Sequence, residues 1–283
     1  MTSIAVALSV DSRGPSALYI LTDSRITWGP KDRWEGGQKA FASRRFPDVF
    51  GYFGDAYFPS MMLRQLIEQL DSGLVCRDEA SADERHEAIL QVMKVAMSRT
   101  SGRPPITNFT IFHGSRMSHE MQSRFSVWES CFNAATLQWT DVEHDIVKDG
   151  SYLILAGGTG SIYVNSSKEE WEKSPAAGTS RSTVWAFFDA IRSTFDTLSG
   201  ANPQIVGIWR IGPARTFGIH WNDVPYFAGL RVSGGLSSEQ VRWFDSDFEP
   251  CDHLGRRLKP EKAHLKPDID VIEALRKRHV RPR

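Results

Sequence analysis

The feature that most constrains the fold is an apolar hairpin in the first 23 residues. Residues 3–10 form a strand-like run, and residues 17–23 form a second run that is apolar through most of its length. The connection DSRGPS is rich in turn-forming residues, so we expect the two strands to pair. A strand that is apolar on both faces is typical of a position covered on both sides. The sequence therefore predicts a core built around this hairpin.

The remaining segments occur in blocks of strands and blocks of helices. Apolar residues recur at the helical period in two central segments and again before the last strands. The predicted strands are 39–43, 48–54, 107–113, 124–132, 135–142, 151–156, 204–212 and 214–221, and the predicted helical segments are 56–73, 77–99, 160–173 and 181–200. This order predicts an α+β fold, whereas alternating strands and helices would predict a parallel sheet.

The domain organisation is predicted from a change of character near residue 236. Residues 1–235 carry the apolar strands and helices, and we expect them to form one domain. Residues 236–283 are polar, contain scattered prolines and end basic. We expect this second part to be an appended tail that packs on a partner or is loose.

Composition and charge argue against several classes of function. The chain has 283 residues with 34 basic and 34 acidic side chains, so no overall field favours nucleic acid or an anionic membrane. Three cysteines without a CxxC pair argue against a zinc site and fit a reducing compartment. We find no apolar run of the length of a membrane span. We therefore expect a cytoplasmic protein without a metal, a cofactor, a nucleic-acid partner or a membrane partner.

Thr2 is the first candidate for a reacting group. A methionine before a small residue is ordinarily removed in the cell, which would leave Thr2 with a free α-amine. Such an amine has a pKa of about 7.7–8.0. It can therefore accept the proton of the Thr2 hydroxyl, as in enzymes whose nucleophile is an N-terminal threonine. The alternative is that Thr2 is a tolerated second residue without a role.

Three charged residues lie at the ends of predicted strands. Asp23 and Arg25 end the second strand of the hairpin, and Lys39 enters the third strand. Charges beside apolar strands require partners. A Lys39 ammonium near Thr2 would keep the amine neutral, and Asp23 would compensate the lysine charge. Taken singly, the carboxylate could instead cap a turn, and the lysine could be a solvated flank.

Four further residues lie at element ends. Thr159 lies in the loop AGGTGS, which lacks the Walker lysine and does not match GxGxxG, so its hydroxyl is better explained as a hydrogen-bonding group at a reacting centre. Asp196 and Ser199 are three residues apart at a predicted helix end, where ordinary capping is the alternative. Gly54 ends a strand before the first helix, where its N–H could donate to an oxyanion.

The order of these residues resembles that of proteasome β-type subunits. Residues 2–28 resemble the start of such a subunit: a threonine, a strand, a turn and a second strand that ends in DSR. The loop GGTGSIYV stands in place of the family's Gly-Ser-Gly-Ser-Val-Tyr-like loop, and DTLSG in place of its Asp-x-x-Ser-Gly. The resemblance covers about residues 2–220 and looks closest to bacterial proteasome-like proteins of the N-terminal-nucleophile (Ntn) hydrolase superfamily.

The resemblance implies a fold and a role for each residue. The implied fold is a four-layer αββα sandwich of the Ntn-hydrolase type. Thr2 would be the nucleophile, Asp23 the carboxylate that orients the lysine, and Lys39 the lysine that tunes the nucleophile. The other matched positions are Thr159, Asp196 and Ser199 as hydrogen-bonding groups, Gly54 as the oxyanion donor and Arg25 as a structural basic residue.

The expected function is that of an N-terminal threonine hydrolase. We expect a proteasome-like peptidase that cleaves peptide bonds through a Thr2 acyl-enzyme after Met1 is removed. The alternatives are a small-molecule amidase of the same superfamily and a non-catalytic, proteasome-like assembly subunit. A nucleic-acid module built on the basic residues 276–283 is a further alternative. The peptidase hypothesis implies a peptide or amide substrate, a homo-oligomeric closed or open ring and an unfoldase that the sequence does not identify.

Overall fold

The described chain consists of antiparallel sheets with helices packed on them. The computed structural model describes residues 2–29, 32–99, 107–118, 123–147, 150–193, 199–233 and 238–259. The strands in these residues are β1 (Ile4–Asp11), β2 (Gly14–Thr22), β3 (Ile26–Thr27), β4 (Arg33–Trp34), β5 (Ala40–Ala42), β6 (Asp48–Gly54), β7 (Phe109–Met117), β8 (Arg124–Asn133), β9 (Gln138–His144), β10 (Tyr152–Gly157), β11 (Gln204–Trp209), β12 (Arg215–Trp221), β13 (Val224–Phe227), β14 (Leu230–Arg231), β15 (Trp243–Phe244) and β16 (Pro250–Cys251). The helices are α1 (Tyr57–Asp71), α2 (Ala82–Ser98), α3 (Ser161–Glu172) and α4 (Ser180–Arg192).

The predicted hairpin is confirmed, with a tighter turn than expected. Strands β1 and β2 pair from Ile4 opposite Thr22 to Asp11 opposite Gly14. Gly14 has a φ of 101°, a backbone conformation that glycine adopts without steric cost, so β2 begins three residues earlier than predicted. In the sheet, β2 lies between β1 and β11 and is paired along both edges.

Two main sheets carry most of the strands. The larger sheet has the order β10-β1-β2-β11-β12-β13-β14, with β15 and β16 joined beside β12. The smaller sheet has the order β5-β6-β7-β8-β9, and β3 and β4 form a separate two-stranded ribbon. The described strand pairs are antiparallel except for β12 with β15. The blocks of strands read from the sequence therefore pair mainly with their neighbours in the chain, as antiparallel sheets allow.

Three apolar clusters follow from the alternation of side chains along the strands. In β1, Ile4 and Val6 belong to a cluster shared with the smaller sheet, whereas Ala5 and Ala7 belong to a cluster shared with α3 and α4. A third cluster joins α1 and α2 to the smaller sheet. Each fully buried side chain of the size of Leu or Phe stabilises the fold by about 1.5–3 kcal/mol. The mixed α and β composition with antiparallel sheets is as predicted, and the finer four-layer arrangement stays a prediction.

The helix boundaries follow local capping signals. Ser81 caps α2 by accepting a hydrogen bond from the Glu84 N–H, and the Glu84 carboxylate accepts one from the Ser81 N–H. Such a capping box starts a helix, which is why α2 begins at Ala82 rather than at the predicted residue 77. Gly73, with a φ of 73°, follows α1 at the predicted position.

Part of the predicted C-terminal tail packs on the larger sheet of the same chain. Strand β15 pairs in parallel with β12, and Phe244 and Phe248 are buried in the cluster that contains Phe217. The polar composition of this segment concealed these few apolar positions. The predicted division at residue 235 stays a prediction, and residues 260–283 lie outside the described residues.

None of the helices in the described ranges combines the length and the apolar character that are needed to cross a membrane.

Candidate functional site

Thr2 lies at the entrance to β1, enclosed by the loop that follows β10. The Thr2 residue is 2% exposed, and its carbonyl oxygen accepts a hydrogen bond of 3.2 Å from the Gly160 N–H. A Cβ atom on Gly158 would lie 2.0 Å from the same oxygen, and Gly158 has a φ of 78°. Only glycine fits such a close approach. The glycine-rich loop therefore serves here to bring main chain against Thr2.

Asp23 joins the two strands of the hairpin at this end. Its N–H donates to the Ser3 carbonyl at 3.1 Å, and its Oδ1 atom accepts from the Ser3 N–H at 3.0 Å. The Oδ2 atom accepts from the N–H groups of Arg25 at 3.0 Å and of Gly200 at 2.9 Å. The carboxylate is fully buried. Its hydrogen bonds are those that a buried negative charge requires.

Lys39 completes a buried ion pair with Asp23. Its Nζ atom lies 2.8 Å from Asp23 Oδ1, and the two side chains are 1% and 0% exposed. Asp23 Oδ1 therefore accepts hydrogen bonds from both the Lys39 ammonium and the N–H of Ser3, the residue that follows Thr2. Burying both charges costs several kcal/mol per ion before their attraction is counted, so such a pair is weak support for a purely stabilising role.

Ser199 and Arg25 connect the site to the segment after α4. The Ser199 and Ser3 hydroxyl oxygens are 2.6 Å apart, and the Arg25 guanidinium donates to the Ser199 carbonyl at 2.9 Å. Arg25 Nε also contacts both Glu35 carboxylate oxygens at 3.1 Å. Arg25 thus links the Ser199 segment to Glu35, which lies four residues before Lys39.

The structure provides less evidence about the other predicted site residues. Thr159 is exposed and lies between Gly158 and Gly160. Gly54 is exposed at the end of β6 with a φ of 97°, and a Cβ there would lie 2.3 Å from the Asn108 carbonyl oxygen. Asp196 lies outside the described residues. The structure therefore brings Thr2, Asp23, Lys39 and Ser199 together, while the roles of all the predicted residues, Arg25 included, stay predictions.

The end of β6 nevertheless faces the Thr2 region. Phe53, the residue before Gly54, packs against Gly157, where an added Cβ would meet its ring at 2.4 Å. Gly157 is the partner of Ile4 in the pairing of β10 with β1. The strand that ends in Gly54 thus approaches the chain two residues from Thr2.

Two buried polar residues of the site were not predicted from the sequence. Ser3 is 2% exposed and contacts both Asp23 and Ser199. Gln204 is also 2% exposed and accepts a hydrogen bond from the Lys39 N–H at 3.2 Å. Ser3 could have been suspected from its position beside Thr2. Gln204 has no signal in the sequence, because its place depends on the pairing of β11 with β2.

A second buried polar network lies in the smaller sheet and α2. Asp48 contacts Arg85 Nε at 2.8 Å and His113 Nε2 at 3.0 Å, and His113 contacts His86. Burial raises the pKa of Asp48, but the hydrogen bond from His113 and the nearby charges outweigh it and hold that pKa below its usual range. Burial lowers the pKa of His113. None of the predicted site residues belongs to this network.

A metal cluster is absent from the part of the chain that the structure describes: no three or more His, Cys, Asp or Glu side chains are arranged to hold an ion.

Comparison with known proteins gives structural neighbours only. No protein-family model and no curated protein matches the chain. An Anbu (ancestral beta-subunit) structure from Yersinia bercovieri matches 76% of this chain and 82% of its own, with 12% identity and a TM-score of 0.48. A Gly-1 mutant of Anbu from Hyphomicrobium sp. strain MC1 matches 76% and 86%, with 13% identity and a TM-score of 0.49. These likenesses are too distant to assign an activity to this chain.

The comparisons correct the family expected from the sequence. The matched structures are Anbu proteins and are distinct from the proteasome β-type subunits that the motifs resemble. The expected membership of the proteasome β-type and bacterial proteasome-like family is therefore wrong. The motifs behind it are short and lie at strand ends, where close main-chain approach requires glycine and buried peptide groups require polar partners. Such motifs do not distinguish one family from another.

Proposed function

We propose that the protein is an amide hydrolase whose nucleophile is Thr2 after removal of Met1. The observation that carries the proposal is the buried Lys39–Asp23 ion pair, whose carboxylate oxygen also binds the Ser3 N–H. A buried ammonium near an α-amine disfavours the protonated amine and so keeps it available as a base. Active sites use buried charges in this way to adjust the pKa of a reacting group.

The proposed reaction has two steps. Thr2 Oγ1 attacks the carbonyl carbon of the amide while the Thr2 amine accepts the hydroxyl proton. That proton passes to the leaving nitrogen as the C–N bond breaks, which leaves an ester between Thr2 and the acyl group. Water then attacks the ester, the amine accepts a proton from the water, and Thr2 Oγ1 recovers its proton as the acid product leaves.

The remaining predicted residues have supporting roles in the proposal. The Gly54 N–H would donate to the oxyanion of each tetrahedral intermediate. The Thr159 hydroxyl, Ser199 and Asp196 would orient the amine, and the Ser199–Ser3 contact of 2.6 Å supports a hydrogen-bond network beside it. Arg25 would hold the Ser199 segment in place.

The proposed reaction cleaves an amide bond. Experiment can distinguish two classes of substrate, peptides and small-molecule amides. A peptidase would cleave denatured proteins or peptides, and native mass spectrometry would find a homo-oligomeric ring. A small-molecule amidase would hydrolyse simple amides and leave peptides intact. An unfoldase partner is part of the peptidase hypothesis only.

The finer features of fold and location belong to the same proposal. The three apolar clusters support a four-layer αββα arrangement. The division into a domain of residues 1–235 and an extension of residues 236–283 is part of the same proposal, and Phe244 and Phe248 of the extension pack on the larger sheet. All three cysteines are free thiols, which supports a reducing, cytoplasmic location.

The decisive experiment is intact-mass analysis of the purified protein before and after treatment with an electrophile selective for N-terminal threonine. We expect Met1 to be absent and one adduct to map to Thr2. Thr2→Ser should keep the adduct because it keeps both groups, and Thr2→Ala should lose the adduct and amide turnover. Retained Met1, or undiminished turnover in Thr2→Ala, would exclude the proposed reaction.

A non-catalytic assembly subunit is the second candidate. The observation in its favour is that Thr2 is only 2% exposed, so little of it is open to a substrate in this state of the chain. This candidate predicts oligomers by native mass spectrometry without an adduct at Thr2. An adduct on the assembled protein would contradict it.

A further inference from the structure

Gln204 lies where three segments of the candidate site meet. It is the first residue of β11 and pairs with Thr22, the residue before Asp23. Its side chain is buried between the end of β2 and the residues that lead into Lys39. A buried amide requires hydrogen-bond partners for both its oxygen and its nitrogen.

The hydrogen bonds of Gln204 fix the orientation of its amide. Its Oε1 atom accepts from the Lys39 N–H at 3.2 Å. Its Nε2 group lies 2.7 Å from the Gly37 carbonyl, 3.2 Å from the Asp23 carbonyl and 2.9 Å from Ser24 Oγ. Because the main-chain N–H needs an acceptor and the two carbonyls need donors, no residue without both groups can replace it.

The main chain and the side chain of Lys39 are therefore both fixed by hydrogen bonds. The Tyr52 N–H donates to the Lys39 carbonyl at 3.3 Å, Gln204 binds the Lys39 N–H, and Asp23 binds the Lys39 ammonium at 2.8 Å. Gln204 also binds the carbonyl of Asp23 itself. One side chain thus sets the distance between the main chains of both members of the ion pair.

We propose that Gln204 is the positioning residue that holds Lys39 and Asp23 in register beside Thr2. The inference rests on the proposed function in that it gives Lys39 the task of tuning the Thr2 amine. Gln204 acts through Lys39 and does not take part in bond making. A displacement of about 1 Å at such a position can reduce a rate by about a hundredfold.

Asn202 provides a matched control on the same segment. It is 4% exposed, and its Nδ2 group donates to Ser24 Oγ at 3.0 Å and to the Gly229 carbonyl at 3.1 Å. No hydrogen bond of its side chain reaches Lys39 or Asp23 among the described contacts. Replacement of either amide by an apolar residue of similar size therefore has a comparable structural cost but a different relation to Lys39.

The experiment compares Gln204→Met, Gln204→Glu and Asn202→Leu with the wild type in the full-length protein. The first readout is the rate of modification of Thr2 by the electrophile as a function of pH. For Gln204→Met we expect a rate roughly tenfold to a hundredfold lower at neutral pH, with the acidic limb moved to higher pH, because a displaced Lys39 no longer depresses the pKa of the amine. Gln204→Glu keeps the acceptor for the Lys39 N–H but sets an oxygen against the Gly37 and Asp23 carbonyls, so its pH profile should also depart from that of the wild type. Asn202→Leu should keep the wild-type pH profile.

The second readout does not depend on activity. The NMR signal of the Lys39 side chain, identified by its loss in Lys39→Arg, should shift in Gln204→Met and stay in place in Asn202→Leu. If the wild type forms no adduct, the proposed function is wrong, and the NMR comparison still decides the role of Gln204. Where Gln204→Met fails to fold, Gln204→Glu gives the same two readouts. An unchanged pH profile and an unchanged Lys39 signal in a folded Gln204 variant, or equal shifts in Asn202→Leu, would overturn the inference.

Discussion

Replacement of Asp23 by Asn tests the ion pair at the centre of the candidate site. The carboxylate accepts from the Ser3 N–H and the Lys39 ammonium at one oxygen and from the N–H groups of Arg25 and Gly200 at the other. An Asn amide must place its NH₂ group at one of these two positions. At either position a donor then faces two donors, and the buried Lys39 ammonium loses its counter-charge.

The expected cost follows from this geometry. Removal of one partner of a buried ion pair destabilises a protein by about 3–5 kcal/mol, because the other charge remains buried without compensation. Lys39→Met alone should cost a similar amount, since it leaves Asp23 as an unpaired buried carboxylate. The double variant removes both charges, so its cost should fall short of the sum of the single costs by up to about 3 kcal/mol.

Urea unfolding followed by circular dichroism measures the three variants against the wild type. The matched control is Lys168→Met, which breaks a surface pair between half-buried Lys168 and exposed Glu172 in α3 at 3.7 Å and should change the unfolding free energy by only about 0.5 kcal/mol. Single costs that add to within about 0.5 kcal/mol in the double variant would refute the argument that the two charges compensate each other.

Three further perturbations have defined outcomes. Gly158→Ala places a Cβ 2.0 Å from the Thr2 carbonyl at a φ of 78°, so it should cost at least about 1–3 kcal/mol in urea unfolding and abolish the Thr2 adduct; an adduct at the wild-type rate would show that the loop does not position Thr2. Burial raises the pKa of Tyr19 to about 12, so the stability that its neutral hydroxyl contributes is present below about pH 10 and is lost as the pH rises to 12. Tyr19→Phe should therefore lose less stability than the wild type between about pH 10 and 12 in base titrations followed by circular dichroism. Equal losses in the two proteins would contradict this direction of the pH dependence. Asp48→Asn leaves the buried guanidinium of Arg85 without its carboxylate and should lower the unfolding free energy by about 3–5 kcal/mol without changing the pH profile of Thr2 modification; a changed profile would link the two networks.

The elements with strong periodicity were predictable from the sequence. The first hairpin and the helices α1 and α4 carry apolar residues at a regular spacing, and tertiary contacts do not override that pattern. The short strands were not predictable. Strands β15 and β16 are two residues each. Strand β15 pairs with the part of β12 that extends beyond the paired residues of β11, and the cluster around Phe217 accepts Phe244. A strand of two residues is too short to show an alternating pattern, so the expectation for this segment came from its polar composition alone.

The residues of the candidate site also divide into those that could be predicted from the sequence and those that could not. Thr2, Asp23 and Lys39 could be named because each is an unusual residue for its local position: a hydroxyl and two charges beside strands that are otherwise apolar. Ser3 and Gln204 are ordinary polar residues at strand ends, and their importance depends on which strands become neighbours. Polar satisfaction in the folded state, rather than any local signal, selects them.

One row of paired residues explains why the site forms where it does. Gly157 pairs with Ile4, Ile4 with Thr22, and Thr22 with Gln204, so four strands of the larger sheet are in register at one level. The residues just beyond this row, on the same edge of the sheet, include Ser3 and Asp23. The Asp23 N–H donates to the Ser3 carbonyl, and the Asp23 carboxylate accepts from the Ser3 N–H in place of a main-chain carbonyl. A register shift of one residue turns side chains to the opposite face, and in the pairing of β1 with β2 it would also separate Asp23 from the start of β1. The register of the larger sheet therefore brings Thr2 and Asp23 to the same edge, and Gln204 on β11 links Lys39 to them.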